Sequence, residues 1–144
     1  MSSAANTIDF TTFIIANLIN LLISAIFIVR QHGKEKAEHH MGLIVVILSI
    51  PLFIFALMNY NIGREWWTFI LPLPMVLYAI VEFILDYYLK SNFRETWLLG
   101  PYLLIFYMAL FGMIGYTFLV NPIFGYITLS TYFISLLATW YGHR

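Results

Sequence analysis

At 144 residues the chain has the size of one ordinary domain, yet 62% of it is hydrophobic and only 10% is charged, with a mean hydropathy of +0.86. Soluble domains are roughly 45–50% apolar and about 25% charged, so a water-soluble sphere of this size cannot hide the excess, and its natural solvent is lipid. Zero net charge and the lack of a basic, aromatic-interleaved cluster argue against nucleic acid as a partner, and the absence of cysteine excludes disulfides, thiolate metal sites and cysteine nucleophiles.

A helix needs about 20 apolar residues to cross a hydrocarbon core of about 30 Å. Five segments meet that requirement. The first is expected over about 10–29. No basic group precedes it and no small-residue cleavage site follows, so it reads as a span and not as a secretory signal. Asn17, Asn20 and Ser24 recur along it at steps of three and four, which places them on one side of a helix. Asparagine facing lipid is costly, so this stripe should face protein or water.

The polar run from Arg30 to His40 separates this span from the second, expected over about 41–58. Within the run, His32, His39 and His40 stand beside Glu35 and Glu38, a mixture of imidazole and carboxylate that can bind a metal ion. Their spacing matches no pattern of the HExxH type, and a solvated loop with charges of alternating sign is the plainer reading. Pro51 interrupts the second span, and Asn61, Gly63 and Arg64 mark its end.

The third span, expected over about 67–89, carries the most informative residues. Pro72 and Pro74 lie in its first part, where neighbouring groups or water must satisfy the carbonyls they free. Glu82 and Asp86 are four residues apart, on one face, with about 6 Å between their Cβ atoms. At 1.5 Å of rise per residue, Glu82 lies roughly 12 Å in from Lys90, inside the hydrocarbon layer. An ionised carboxylate there is costly unless paired, hydrated or protonated. Tyr78, one turn away, extends the same face. This pattern fits a structural contact, a titrating or cation-binding group in a water-filled cavity, or a pair of carboxylates acting on a lipid headgroup.

The fourth span is expected over about 98–120, with Ala109, Gly112 and Gly115 at steps of three offering a surface for close helix approach. Only Asn121-Pro122 separates it from the fifth, expected over about 123–141. Proline has no amide donor and disfavours helix for the residue before it, so a tight helical hairpin is expected. One helix of about 40 apolar residues would be twice a membrane thickness. A weaker polar stripe, Thr128, Tyr132, Ser135 and Thr139, runs along the fifth span.

Five spans put Arg30, Lys34, Lys36, Lys90, Arg94 and Arg144 on one side and Arg64 alone on the other. The positive-inside bias makes the first side cytoplasmic, with the N-terminus outside and the C-terminus inside. Trp66, Trp67, Trp97 and Trp140 all fall at span ends, where indole rings prefer the headgroup layer. The stretch from Leu99-Gly100-Pro101-Tyr102 to Trp140-Tyr141 resembles prokaryotic membrane proteins, which implies a prokaryotic cell membrane and no particular activity.

Several chemistries lack their motifs: the phosphate loop GxxxxGK[ST], GxGxxG, the GxSxG elbow and the paired-aspartate motif of CDP-alcohol phosphotransferases. The expected architecture is all-α, a single transmembrane domain over residues 1–144 that forms a polytopic bundle of five helices. The expected function is a transporter, channel or carrier for a small solute or ion, with Glu82, Asp86, Tyr78, Asn17 and Asn20 around a cytoplasm-facing polar cavity. The alternatives are an enzyme acting on lipid at the inner leaflet, and a non-catalytic subunit of a larger membrane complex. Membrane lipid is the expected partner, with a second copy or a larger complex beside it. No motif specifies a cofactor.

Overall fold

The computed structural model describes residues 3–88 and 97–142. These form α1 (Ser3–Gln31), α2 (Glu35–Asn61), α3 (Trp67–Ile70), α4 (Leu73–Glu82), a π-helical segment (Phe83–Tyr88), α5 (Leu99–Val120) and α6 (Pro122–Gly142). Five stretches of helix are long and apolar enough to cross a membrane: Asn6–Gln31, Lys36–Asn61, Trp67–Leu85, Leu99–Val120 and Pro122–Tyr141. They close into a ring. Helix α1 packs on α2 and α6, α4 packs on α2 and α5, and α5 packs on α6.

Each helix divides into a core face and a face with no protein partner. On α2, Val45, Leu52, Ala56 and Asn59 point inward and are buried, while Ile47, Ile50, Ile54 and Leu57 point outward and are half exposed. Both faces are apolar, unlike those of an amphipathic helix that exposes one face to water.

Two of the turns share one construction. Gly33 and Gly63 adopt φ of 73° and 76°, the left-handed region that favours glycine. After α1, Gly33 N–H bonds the Arg30 carbonyl and Lys34 N–H bonds the Val29 carbonyl. After α2, Gly63 N–H bonds the Tyr60 carbonyl and Arg64 N–H bonds the Asn59 carbonyl. Both are Schellman caps, which satisfy the last helix carbonyls while reversing the chain. The α5–α6 hairpin uses Asn121 instead. Its backbone is extended (φ −162°, ψ 128°), its side-chain Oδ1 accepts the Ile123 N–H at 2.9 Å, and Pro122 starts α6. The expected hairpin is therefore present.

The structure departs from expectation in three places, and in one of them α2 begins at Glu35 and takes in the end of the polar run expected as a loop before Met41. Helix α1 begins before residue 10, so Asp9 lies inside it. The third span is two α-helices followed by a π-helical segment. Leu71 and Pro72 keep right-handed helical angles, so the chain does not bend away at the prolines; only hydrogen bonds are lost. The opened backbone lies against α5 at Gly112. A Cβ built there would sit 2.5 Å from the Leu71 carbonyl oxygen, whereas one at Gly115 would meet Leu71 Cδ1 at an ordinary 3.5 Å. Gly112→Ala is therefore expected to lower stability by about 1–3 kcal/mol through overpacking, and Gly115→Ala to be close to neutral. Thermal unfolding of the two variants in detergent checks the difference.

Candidate functional site

A cavity of about 290 Å³ opens at the end of the bundle that holds Arg30 and Leu99. Four helices wall it. Ile23, Ile26, Phe27 and Arg30 come from α1, Gly42 and Val45 from α2, Tyr78 and Glu82 from α4, and Leu99, Tyr102, Leu103 and Phe106 from α5. The walls are mainly apolar, and the polar groups are Tyr78 and Glu82 on α4, Tyr102 on α5 and Arg30 at the end of α1.

Glu82 is the last residue of α4 and is 7% exposed. The Tyr102 hydroxyl donates a hydrogen bond to Glu82 Oε2. The Tyr78 and Tyr102 hydroxyls share a hydrogen bond at 3.3 Å, with their rings 5.7 Å apart. Carboxylate and phenols thus form a continuous polar strip on an otherwise apolar wall. The π-helical turn begins directly after Glu82 and contains Asp86. Such turns cluster at functional sites. The Asp86 side chain lies outside the described residues, as do Lys90, Arg94 and His143.

Arg30 stands at the cavity mouth. Its guanidinium bonds Glu38 of α2 through Nε at 2.8 Å and Nη2 at 2.7 Å, and it covers the Phe27 ring at 4.9 Å. A carboxylate eight residues on, across a two-helix turn, is the sign of this clasp in the sequence.

Asn17 and Asn20 do not line this cavity. They face α6, where they build a ladder with the threonines of the fifth span. Asn17 Nδ2 donates to Thr128 Oγ1 at 3.1 Å, and Thr131 Oγ1 donates to Asn17 Oδ1 at 2.8 Å. Asn20 Nδ2 donates to Thr131 Oγ1 at 2.9 Å. Each such bond satisfies a polar group between two helices that are otherwise apolar. His32, in the turn after α1, pairs through Nδ1 with the Ile28 carbonyl at 2.9 Å, and His40 Nδ1 pairs with the Lys36 carbonyl of its own helix at 2.8 Å. The His39 and His40 rings are 6.3 Å apart. Among the described residues, no three histidine or acidic side chains converge to hold a metal ion.

A second polar centre, at the opposite end, escaped the sequence reading. Asp9 of α1, 5% exposed, accepts from Arg64 Nη1 at 2.7 Å and Nη2 at 2.9 Å, and from the Tyr116 hydroxyl of α5 at 2.7 Å. Asn59 of α2 accepts from Arg64 Nη1 at 3.0 Å and donates to the Thr68 carbonyl at 3.1 Å. Hydrogen bonding to Asp9 holds the Arg64 pKa above its ordinary value, against the opposing effect of desolvation. A cavity of about 440 Å³ adjoins this pair. The signal was present but weak: one acid near the start of the first span, and one cation on the side that otherwise has none.

No family model, curated protein or solved structure matches this chain. What the sites can do follows from their own chemistry. A carboxylate in an apolar wall holds a proton or a cation far more selectively than one in water, and the two phenols beside it can hand a proton on.

Proposed function

We propose that the chain is a membrane-embedded carrier for a small solute or ion, and that Glu82 is the group that takes up the proton or cation. The buried Glu82 carboxylate, opening with Tyr78 and Tyr102 into a cavity, carries this reading. The balance of lysine and arginine favours a cavity that faces the cytoplasm. A further feature favours a carrier over a channel. Ile19, Leu52, Met75, Ala109 and Met113 are fully buried in one core cluster that lies, by position along the helices, between the two polar ends. A carrier needs such a barrier, because its two ends must never be open to water together.

The experiment is flux into liposomes, with proton uptake and a panel of small cationic solutes as readouts. Glu82→Gln is expected to abolish flux while helix content and unfolding temperature stay near the wild-type values. Tyr102→Phe is expected to slow it about tenfold, the effect of losing one hydrogen bond of about 1.4 kcal/mol. Single cysteines introduced at Lys34 and Ile62 of this cysteine-free chain report the orientation in the same vesicles. Equal flux in wild type and Glu82→Gln would end the carrier reading, and Glu82-dependent turnover of vesicle lipid would replace it with the enzymatic one.

A further inference from the structure

The cavity at the Asp9 end is distinct from the Glu82 cavity, and its chemistry is different. Its lining includes Asp9, Phe10, Arg64, Glu65, Trp67 and Phe124, and its volume of about 440 Å³ lies within the usual range for small-ligand sites.

Arg64 is central to it. A guanidinium has five N–H donors in a fixed fork. Asp9 takes the end-on pair, one from Nη1 and one from Nη2, and Asn59 takes the second Nη1 donor. The remaining edge, Nε–H with the second Nη2–H, has no acceptor among the described residues. That edge has the geometry that binds a carboxylate or phosphate through two parallel hydrogen bonds. Asp9 and Asn59 fix the guanidinium from the other side, so little rotamer freedom remains to be lost when a ligand binds.

Glu65 is the next residue and lines the same cavity. Its Oε2 accepts the Trp67 Nε1–H at 2.7 Å, which fixes the carboxylate beside an indole ring. Asp9, Arg64 and Glu65 together leave the lining with one excess negative charge, so a simple anion is disfavoured. A net-neutral ligand adds no further charge and pairs each of its ends with an opposite one, its anion with Arg64 and its cation with Glu65. The rings of Phe10, Trp67 and Phe124 suit an alkylammonium group, whose positive charge is attracted to aromatic faces.

We propose that this cavity binds a small zwitterion, with its anionic oxygens on the free edge of Arg64 and its ammonium at Glu65 among the aromatic rings. Two sources share that chemistry: a free solute such as an amino acid or betaine, and the headgroup of a zwitterionic phospholipid.

The test uses the intact protein in a detergent free of phospholipid, titrated with glycine betaine and with glycerophosphoethanolamine, both net neutral, and read by calorimetry. Acetate, inorganic phosphate and tetramethylammonium serve as single-charge controls. At least one zwitterion is expected to bind ten times more tightly than each control. Glu65→Gln, at an exposed position that leaves the Asp9–Arg64 pair intact, is expected to weaken that binding about tenfold. Glu82→Gln is expected to leave it unchanged, which separates this site from the carrier reading. The source is read in vesicles that mix phosphatidylethanolamine and phosphatidylglycerol equally. Co-purification of phosphatidylethanolamine that Glu65→Gln abolishes assigns the site to headgroups, and zwitterion binding without such enrichment assigns it to free solutes. A control ion that binds as tightly as the zwitterions, no binding at all, or binding indifferent to Glu65→Gln would each overturn the proposal.

Discussion

Asp9→Ala is expected to lower stability by about 3–5 kcal/mol, the scale for removing one partner of a buried ion pair. The carboxylate joins three parts of the chain: it lies on α1, its cation sits in the turn after α2, and its phenol donor comes from α5. Alanine would leave the Arg64 guanidinium, whose side chain is 13% exposed, without a counter-charge, and would orphan the Tyr116 hydroxyl. Arg64→Met should cost a similar amount by leaving the Asp9 carboxylate uncompensated. The double variant should lose clearly less than the two single losses added together, because it leaves no unpaired charge. Unfolding of all four chains in one detergent checks this. Single losses below about 1 kcal/mol would put the pair in the class of solvent-screened surface bridges.

That pair marks the limit of what one dimension shows. Run length and hydropathy made the helices legible, since Asn121-Pro122 and the two glycine turns interrupt the apolar segments where the chain must reverse. Asp9 does not stand out in the sequence, because a lone carboxylate looks like the end of an apolar run. Its partner is 55 residues away, and no window that short-circuits folding can see it. The third span shows the same divide. Pro72 and Pro74 announce a break, but no residue in Phe83–Tyr88 announces a π-helical turn. Glu82 stood out because lipid makes its charge expensive, whereas its partner Tyr102, on another helix, had the look of an ordinary aromatic at a span end. The Asn17–Asn20 stripe was readable as a face that avoids lipid. Which helix it would meet was not, because Thr128 and Thr131 suit hydrogen bonding to any neighbour.

Asn59→Leu is expected to cost about 2–4 kcal/mol, the combined scale of an orphaned buried acceptor and a lost hydrogen bond to a charged group. The cause can be traced to Pro72. In a continuous helix the amide of residue 72 would bond the Thr68 carbonyl, but proline has no N–H to offer. Leu71 and Pro72 hold helical angles, so the carbonyl still points along the helix toward the missing donor. Asn59 Nδ2 reaches across from α2 and fills the place at 3.1 Å. The side chain thus replaces a backbone bond that the sequence of the third span cannot make. A second substitution tests that substitution of roles directly. Pro72→Ala restores an amide at the break, so it should be more favourable by about 1 kcal/mol in the Asn59→Leu background than in the wild type. The loss of the Asn59–Arg64 contact is common to both Asn59→Leu chains and cancels from the comparison. An identical effect of Pro72→Ala in the two backgrounds would mean that Thr68 finds its donor elsewhere, and that Asn59 serves Arg64 and Tyr116.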